Sequence, residues 1–212
     1  MKLPPSLNSF ESLSRSADSE SHWKVLAAVL LLSLCLSLFF GTGLYGSDDS
    51  GYILPALSVL NDGLPLADSA MPNRAAAERL GMVLPTALLL WFWGENAQAA
   101  ALSFVIFQLL LCYLTYLLGR AIHGENVGLW AATFTALCPL SLIYAASVLP
   151  DIPSTCLLIL ALIAGIRSVL AENPRQQLLL CFFSGVFLGL GYMIKESVLV
   201  MLPALGLVAV FG

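Results

Sequence analysis

Charged residues are scarce in this chain of 212 residues: Asp, Glu, Lys and Arg make up 10% of the sequence, whereas 59% of the residues are hydrophobic. An ordinary soluble domain carries roughly 25% charged residues. The composition therefore indicates a polytopic membrane protein rather than a soluble domain. The net charge is −4, with no basic block, so nucleic acid is not an expected partner.

Several patterns typical of catalytic or metal chemistry are also missing. The sequence has no Gly-rich phosphate loop, no His-x-x-x-His pair and no Ser-His-Asp set. Its five cysteines lie inside apolar runs without Cys-x-x-Cys spacing, which is typical of small buried hydrophobic residues rather than of disulfides or metal ligands. We expect no cofactor. Nothing in the pattern indicates a divalent cation, although acidic side chains of the kind described below could bind one.

Long apolar runs dominate the chain instead. Five are long enough to cross about 30 Å of hydrocarbon, and a sixth begins at Val198. The five cover residues 25–44, 97–118, 127–149, 152–169 and 177–194. We predict an all-α transmembrane bundle of about six membrane helices over residues 24–212. Residues 1–23 are rich in Ser and mixed in charge, and we expect them to form a disordered cytoplasmic tail.

One further apolar stretch, "LGMVLPTALLLWFW" at residues 80–93, is ambiguous. As a helix its 14 residues would span only about 21 Å, which is too short to cross comfortably. If it does not cross, Lys24, Arg120, Arg167 and Arg175 all fall on one face, as the positive-inside rule requires of the cytoplasm. We therefore predict a cytoplasmic N-terminus and an interfacial juxtamembrane helix in the first outer loop, with its aromatic end in the headgroup region.

This topology collects most of the remaining ionisable residues on the outer face. Charges beside apolar runs are costly, so they are candidates for a functional site. The group consists of Asp48, Asp49, Arg74, Glu78, Arg79, Asp151, Lys195 and Glu196.

The acidic members of this group allow two interpretations each. Asp48 and Asp49 follow Ser47, so they can cap a helix, where the dipole favours negative charge. One of them can instead act as a general base that takes a proton from a hydroxyl nucleophile. Asp151 stands between two prolines ahead of an apolar run. It can cap that helix, or serve as a second carboxylate that orients an acceptor in the same cavity.

The cations are equally ambiguous. Lys195 and Glu196 stand at the junction of two apolar runs, where neighbouring charges often form a solvated turn. Alternatively, Lys195 contacts a phosphate, a role suited to a point cation at a membrane edge. Arg74 and Arg79 allow the same two interpretations, and a pair of arginines beside an acidic outer face favours an anionic headgroup.

Four segments together resemble the N-terminal portion of the polytopic GT-C glycosyltransferases, in the branch that contains the protein O-mannosyltransferases and the lipid A aminoarabinose transferases. They are "DDSGY" at residues 48–52, "RLGMVLPTALLLWFWGENAQAAALS", "YLLGRAIHGENVGLWAATFTALCPLSLIYAASVLPDIP" and "GYMIKESVLVMLP". Their order and spacing agree with the family as well as the motifs do. Two features depart from it: Ile194 stands where the family often has Thr, and family members usually continue with further membrane helices.

The resemblance implies an inverting transfer of a sugar from a dolichyl- or polyprenyl-phosphate carrier to a hydroxyl acceptor on the outer face. It implies Asp48 as the catalytic carboxylate, Asp151 as a second acid in the cavity, and Lys195 as a donor-phosphate contact, assisted by Arg74 or Arg79. We also expect Asp49, beside Asp48, to serve like Asp151 as a second acid or to orient the acceptor. The expected location is a bacterial inner membrane with a periplasmic site; an endoplasmic reticulum membrane is the alternative. A noncatalytic or truncated membrane subunit, and less readily a small-solute transporter, remain rival functions.

Overall fold

The structure is a computed structural model that describes residues 5–41, 44, 48–63, 79–203 and 206. The described residues form helices, with no strand among them. In chain order the helices are α1 (Pro5–Phe40), α2 (Ser50–Asp62), α3 (Leu80–Phe92), α4 (Ala97–Ser103), α5 (Val105–His123), α6 (Glu125–Ala136), α7 (Pro139–Tyr144), α8 (Asp151–Val169), α9 (Pro174–Ile194) and a 3₁₀ helix (Glu196–Met201). The predicted all-α membrane architecture is confirmed.

Helix α1 begins at Pro5, far ahead of the apolar run expected from residue 25. Proline is tolerated in the first turn of a helix, and neither proline nor glycine follows before Gly41, so no residue type interrupts the helix. The structure therefore has helix where the sequence favoured a disordered tail. The part with the length and hydropathy of a membrane span is Ser21–Phe40. A domain boundary near residue 24 stays a prediction.

Helices α2 and α3 are short and pack against each other through one buried apolar cluster. Helix α4, Val148 and Ile194 complete this cluster. With 13 residues, α3 is too short to be counted as a membrane span, and the aromatic side chains at its end, Trp91, Phe92 and Trp93, are exposed. Both features agree with an interfacial helix, although its location at a membrane surface stays a prediction.

Helices α5 and α6 form a tight hairpin. Gly124 makes the turn between them with a φ of 90°, a conformation that favours glycine. On either side of the turn the helices are in close contact: a Cβ atom added to Gly119 of α5 would lie 2.9 Å from the Cα atom of Gly128 of α6. The two backbones can approach this closely because neither residue has a side chain.

The crossing predicted for residues 127–149 is broken into α6 and α7. Pro139 lacks the N–H that would continue the helix, and α6 accordingly ends at Ala136. The broken segment nevertheless runs antiparallel along all of α5. Ala136 packs with Cys112 of α5, and Val148 shares a cluster with Phe104 just before α5. The segment thus returns the chain to the end of the bundle where α5 begins.

The number of continuous spans is consequently lower than expected. Among the described residues, four helices have the length and hydropathy to cross a membrane: Ser21–Phe40, Ala97–His123, Asp151–Val169 and Pro174–Ile194. The fifth predicted run, 127–149, is the broken segment. The run predicted from Val198 first forms the 3₁₀ helix, and most of its remainder lies outside the described residues.

Helices α8 and α9 form a second hairpin. Local interactions explain where α9 begins and how it contacts α8. Asn173 caps α9 by accepting a hydrogen bond from the Arg175 N–H at 2.9 Å, and Pro174 takes the first helical position. Ser184 of α9 donates to the carbonyl of Ala161 in α8 at 2.9 Å. This pairing returns α9 to the level at which α8 begins, so Lys195 comes close to Asp151.

Candidate functional site at one end of the bundle

Asp49 is the deepest charged residue at this end of the molecule. It immediately precedes α2, and only 1% of its surface is exposed. Its Oδ1 atom accepts a hydrogen bond of 2.6 Å from the backbone N–H of Val148, but its side chain makes no capping bond to α2. Asp49 therefore occupies the N-cap position of α2 without a capping bond from its side chain. Its carboxylate instead joins α2 to the loop that leads into α8.

Asp48 differs from its neighbour because it is exposed. Its carbonyl oxygen accepts a hydrogen bond from the Gly51 N–H at 3.1 Å, in the turn that starts α2. The side chain is thus held at the surface, directly beside the buried Asp49. Of the two adjacent acids, Asp48 is the one that a substrate can reach.

Asp151 and Lys195 form an ion pair. Lys195 Nζ donates to Asp151 Oδ1 at 2.5 Å, and both side chains are partly exposed. Asp151 is the first residue of α8, where negative charge is favoured by the helix dipole. The structure therefore gives Lys195 an acidic partner at the end of α9, and its contact with a phosphate stays a prediction. It also places Asp151 three residues beyond Val148, the backbone partner of Asp49.

Arg79 connects three separate segments. Its Nη1 atom donates to the Tyr52 hydroxyl at 2.7 Å, while Nε and Nη2 donate to the two carboxylate oxygens of Glu196 at 3.2 and 2.8 Å. Desolvation by burial lowers the pKa of Arg79, but the bonds to Glu196 and Tyr52 outweigh it and leave that pKa above its ordinary value. The same hydrogen bond has the opposite effect on its acceptor: it lowers the pKa of the Glu196 carboxyl group.

These residues converge although they are distant in the chain. We call their end of the bundle the site end; it contains Asp48, Asp49, Tyr52, Arg79, Asp151, Lys195 and Glu196. The sequence indicated the acids and both cations, but not that Tyr52 and Glu196 are the partners of Arg79. Tyr52 belongs to the "DDSGY" motif, which was a usable signal, whereas nothing in the sequence indicated the Val148 N–H. Arg74 lies outside the described residues.

An apolar cavity of about 380 Å³ adjoins the site end. Helices α3, α5, α8 and α9 contribute to its walls. Three lining residues lie within two positions of a site residue in the chain: Leu80 follows Arg79, Pro153 is two residues after Asp151, and Ile194 precedes Lys195. A ligand in this cavity would therefore have apolar surroundings along its length and charged groups at one end.

Acidic, His and Cys side chains are the groups that could hold a metal ion. In residues 5–41, 44, 48–63, 79–203 and 206, no group of three or more such side chains is arranged to hold a metal ion. The expectation that no cofactor is needed stays a prediction.

The fold and the site define a helical membrane protein with a cluster of paired charges at one end of its bundle. A model of the family described as dolichyl-phosphate-mannose-protein mannosyltransferase matches residues 83–212. The chain therefore belongs to this family and is a membrane glycosyltransferase of the GT-C type, as its motifs suggested. Neither the curated proteins nor the solved structures provide a match to it.

The matched range divides the site end. Asp151, Lys195 and Glu196 lie within it, whereas Asp48, Asp49, Tyr52 and Arg79 precede it. The two sets meet through the bonds Asp49–Val148 and Arg79–Glu196. The roles of the individual residues stay predictions.

Proposed function

We propose that the chain transfers a sugar from a polyprenyl- or dolichyl-phosphate donor to a hydroxyl acceptor, with inversion at the anomeric carbon. One observation carries this proposal: cations and carboxylates from three distant segments meet directly beside an apolar cavity. A lipid-linked phosphate needs both environments, because its isoprenoid chain is apolar and its headgroup is anionic. The family match supports the same class of donor.

For the donor, we propose that the isoprenoid chain next to the phosphate occupies the cavity between α3, α5, α8 and α9. Its phosphate would then lie near Lys195 and Arg79, which flank the cavity at Ile194 and Leu80. Arginine and lysine are well suited to phosphate, the first through a planar pair of N–H donors and the second as a point charge. Arg74, outside the described residues, could assist.

For the acceptor, we propose Asp48 as the general base. It is exposed, whereas Asp49 is buried with one carboxylate oxygen bonded to the Val148 N–H. Asp48 would take the proton from the acceptor hydroxyl while the hydroxyl oxygen forms a bond to the anomeric carbon. The bond from that carbon to the phosphate oxygen breaks on the opposite face. The cations stabilise the negative charge that remains on the lipid phosphate. Asp49 and Asp151 would hold the loops that orient the acceptor.

We further propose that the site end faces the periplasm from a bacterial inner membrane. The support is the distribution of basic residues: Arg120, Arg167 and Arg175 fall at the other end of the helices that carry them, and Lys24 lies near the start of the apolar span Ser21–Phe40. The positive-inside rule assigns such an end to the cytoplasm. Accordingly, the donor and the acceptor would meet at the outer surface of that membrane.

The proposal is tested with a sugar-transfer assay on the full chain in membranes, with labelled dolichyl-phosphate mannose as the donor. Asp48→Asn removes the proposed base and should lower the transfer rate by about 100-fold to 10,000-fold. Asp49→Asn, the matched neighbour, should retain substantially more activity because Asn can still accept from the Val148 N–H. Thermal stability of both variants serves as the folding control. Near wild-type turnover by Asp48→Asn would contradict the proposed role of that residue.

A further inference from the structure

The guanidinium group of Arg79 already holds an anion that belongs to the protein itself. Nε and Nη2 donate to the two carboxylate oxygens of Glu196, at 3.2 and 2.8 Å. This parallel pair of N–H donors is also the arrangement with which arginine binds two oxygens of a phosphate. The carboxylate of Glu196 therefore occupies the same donors that a phosphate would need.

The two partners of Arg79 differ in how firmly they are held. Tyr52 is only 3% exposed and belongs to the buried cluster beneath the site. The side chain of Glu196 is 56% exposed and lies on the 3₁₀ helix after α9. Because Tyr52 fixes Arg79 from the buried side, the guanidinium group can stay in place when Glu196 leaves. Glu196 is thus the partner that an incoming anion can displace.

The neighbouring cation, Lys195, is also neutralised by a carboxylate of the protein. Lys195 pairs with Asp151, so the two cations and two carboxylates of these ion pairs sum to zero formal charge. An added phosphate would meet a cluster without excess positive charge. Binding it on Arg79 therefore requires that a carboxylate give up its place, and Glu196 is the more exposed of the two.

We propose that Glu196 is an internal competitor for the donor phosphate and thereby determines which anions the site accepts. This inference rests on the proposed function, since it concerns the same donor. A free phosphate ion would gain only the interaction with Arg79 that Glu196 gives up. A lipid phosphate also gains the burial of its isoprenoid chain in the cavity beside Arg79 and Lys195. Glu196 would thus select ligands that combine a phosphate with an apolar chain.

The experiment measures binding of a short fluorescent polyprenyl phosphate, and of the corresponding alcohol, to the purified full chain in a neutral maltoside detergent. Glu196→Gln keeps the shape of the side chain but removes its charge. We expect it to bind the phosphate about two- to fivefold more tightly than the wild type, the range to which an exposed ion pair corresponds. Glu196→Ala should change affinity in the same direction.

The chain provides a matched control. Glu125 also forms an ion pair with an arginine, Arg120, at 2.8 Å, but at the other end of α5. Glu125→Gln should leave lipid binding unchanged. The double variant Glu196→Gln with Arg79→Gln should lose the gain of the single variant. Inorganic phosphate should also bind Glu196→Gln more tightly than the wild type, which its displacement of the lipid measures at lipid concentrations well below the dissociation constant.

The outcomes separate this inference from the function on which it rests. If the wild type binds the phosphate and the alcohol equally well, the proposed lipid-phosphate donor is contradicted. If the wild type prefers the phosphate but Glu196→Gln binds it no more tightly, only the role of Glu196 is wrong. Weaker binding by Glu196→Gln would mean that the carboxylate orients Arg79 for the phosphate, which also overturns the competitor role.

Discussion

The two ends of the bundle contain the same three residue types in different arrangements. At the site end, Arg79 donates both to Tyr52 and to Glu196. At the opposite end, which we call the hairpin end and which contains Tyr116, Arg120 and Glu125, the carboxylate is central. Glu125 accepts from Tyr116 at 2.5 Å and pairs with Arg120 at 2.8 Å. A shared set of residue types thus gives one cluster centred on a cation and one centred on an anion.

The difference lies in how each cluster is assembled. Tyr116 and Glu125 are nine residues apart, on either side of the turn at Gly124, so the cluster at the hairpin end stabilises one local hairpin. Arg79 is 27 residues from Tyr52 and 117 from Glu196, so the cluster at the site end depends on the packing of several helices. A cluster that joins distant segments can respond to a ligand between them, whereas a local one has little freedom to do so.

The largest expected effect concerns the sides of the membrane on which the two ends lie. In a variant without the native cysteines, Asp68→Cys and Asp151→Cys should react with an impermeant thiol reagent applied from outside, and Glu125→Cys should not. The physical basis is the distribution of basic residues. Intact cells or sealed vesicles provide the measurement, with permeabilised samples as a control for reactivity. Labelling of position 125 from outside would reverse the topology.

The next effect concerns the cations. Replacement of Lys195 with Ala should reduce the preference for a polyprenyl phosphate over its alcohol by about 10-fold to 150-fold, because a hydrogen bond to a charged group contributes about 1.5–3 kcal/mol. Arg120→Ala removes a cation at the hairpin end and should leave the preference intact. Binding isotherms for both lipids provide the measurement. Equal losses in the two variants would argue against a phosphate contact by Lys195.

Close glycine contacts occur at both ends, and their substitution should affect lipid binding at the site end only. A Cβ atom at Gly128 would lie 2.6 Å from the carbonyl oxygen of Tyr116, and one at Gly81 would lie 2.8 Å from Ile194 Cγ1. Either Gly→Ala change should cost about 1–3 kcal/mol of stability through overpacking. Gly81→Ala should also weaken lipid-phosphate binding, since it separates α3 from the end of α9, whereas Gly128→Ala should not.

Gly185 provides the control for these substitutions. A Cβ atom there would meet no atom of the described residues within 4 Å. Gly185→Ala should be neutral or slightly stabilising, because alanine has the higher helix propensity. Thermal unfolding in detergent measures all three variants. Unchanged stability of Gly128→Ala would mean that the hairpin end tolerates a wider helix separation than the contact suggests.

The smallest effect is the pH dependence of the Arg79–Glu196 pair. Arg79 lowers the pKa of Glu196 below its ordinary value of 4.5. The pair therefore stabilises the fold above about pH 4.5, and this contribution is lost as the pH falls through the lowered pKa. An exposed ion pair contributes at most about 1 kcal/mol. The difference in melting temperature between wild type and Glu196→Gln should be small at pH 7 and disappear in acid; a constant difference would contradict the assignment.

The sequence was sufficient for the class of fold and for the positions of most long helices. The predicted runs 152–169 and 177–194 agree with α8 and α9 to within a few residues. Hydrophobicity over 18 or more residues is a local property, so it can be read without knowledge of tertiary contacts. The family motifs also directed attention to Asp151 and Lys195, which do form a pair. The break at Pro139 was missed because the whole run 127–149 is apolar enough to suggest one span.

The roles within the charge cluster depended on contacts between segments far apart in the chain. The sequence showed two adjacent acids, but only the structure shows that Asp49 is buried and bonded to Val148, 99 residues away. Likewise, Glu196 resembled a solvated residue until Arg79 was found beside it, 117 residues earlier in the chain. Local sequence patterns contain information about neighbours within a few turns of helix. Which charge faces which partner is determined by helix packing, and that packing brings Arg79, Tyr52 and Glu196 to one end of the bundle.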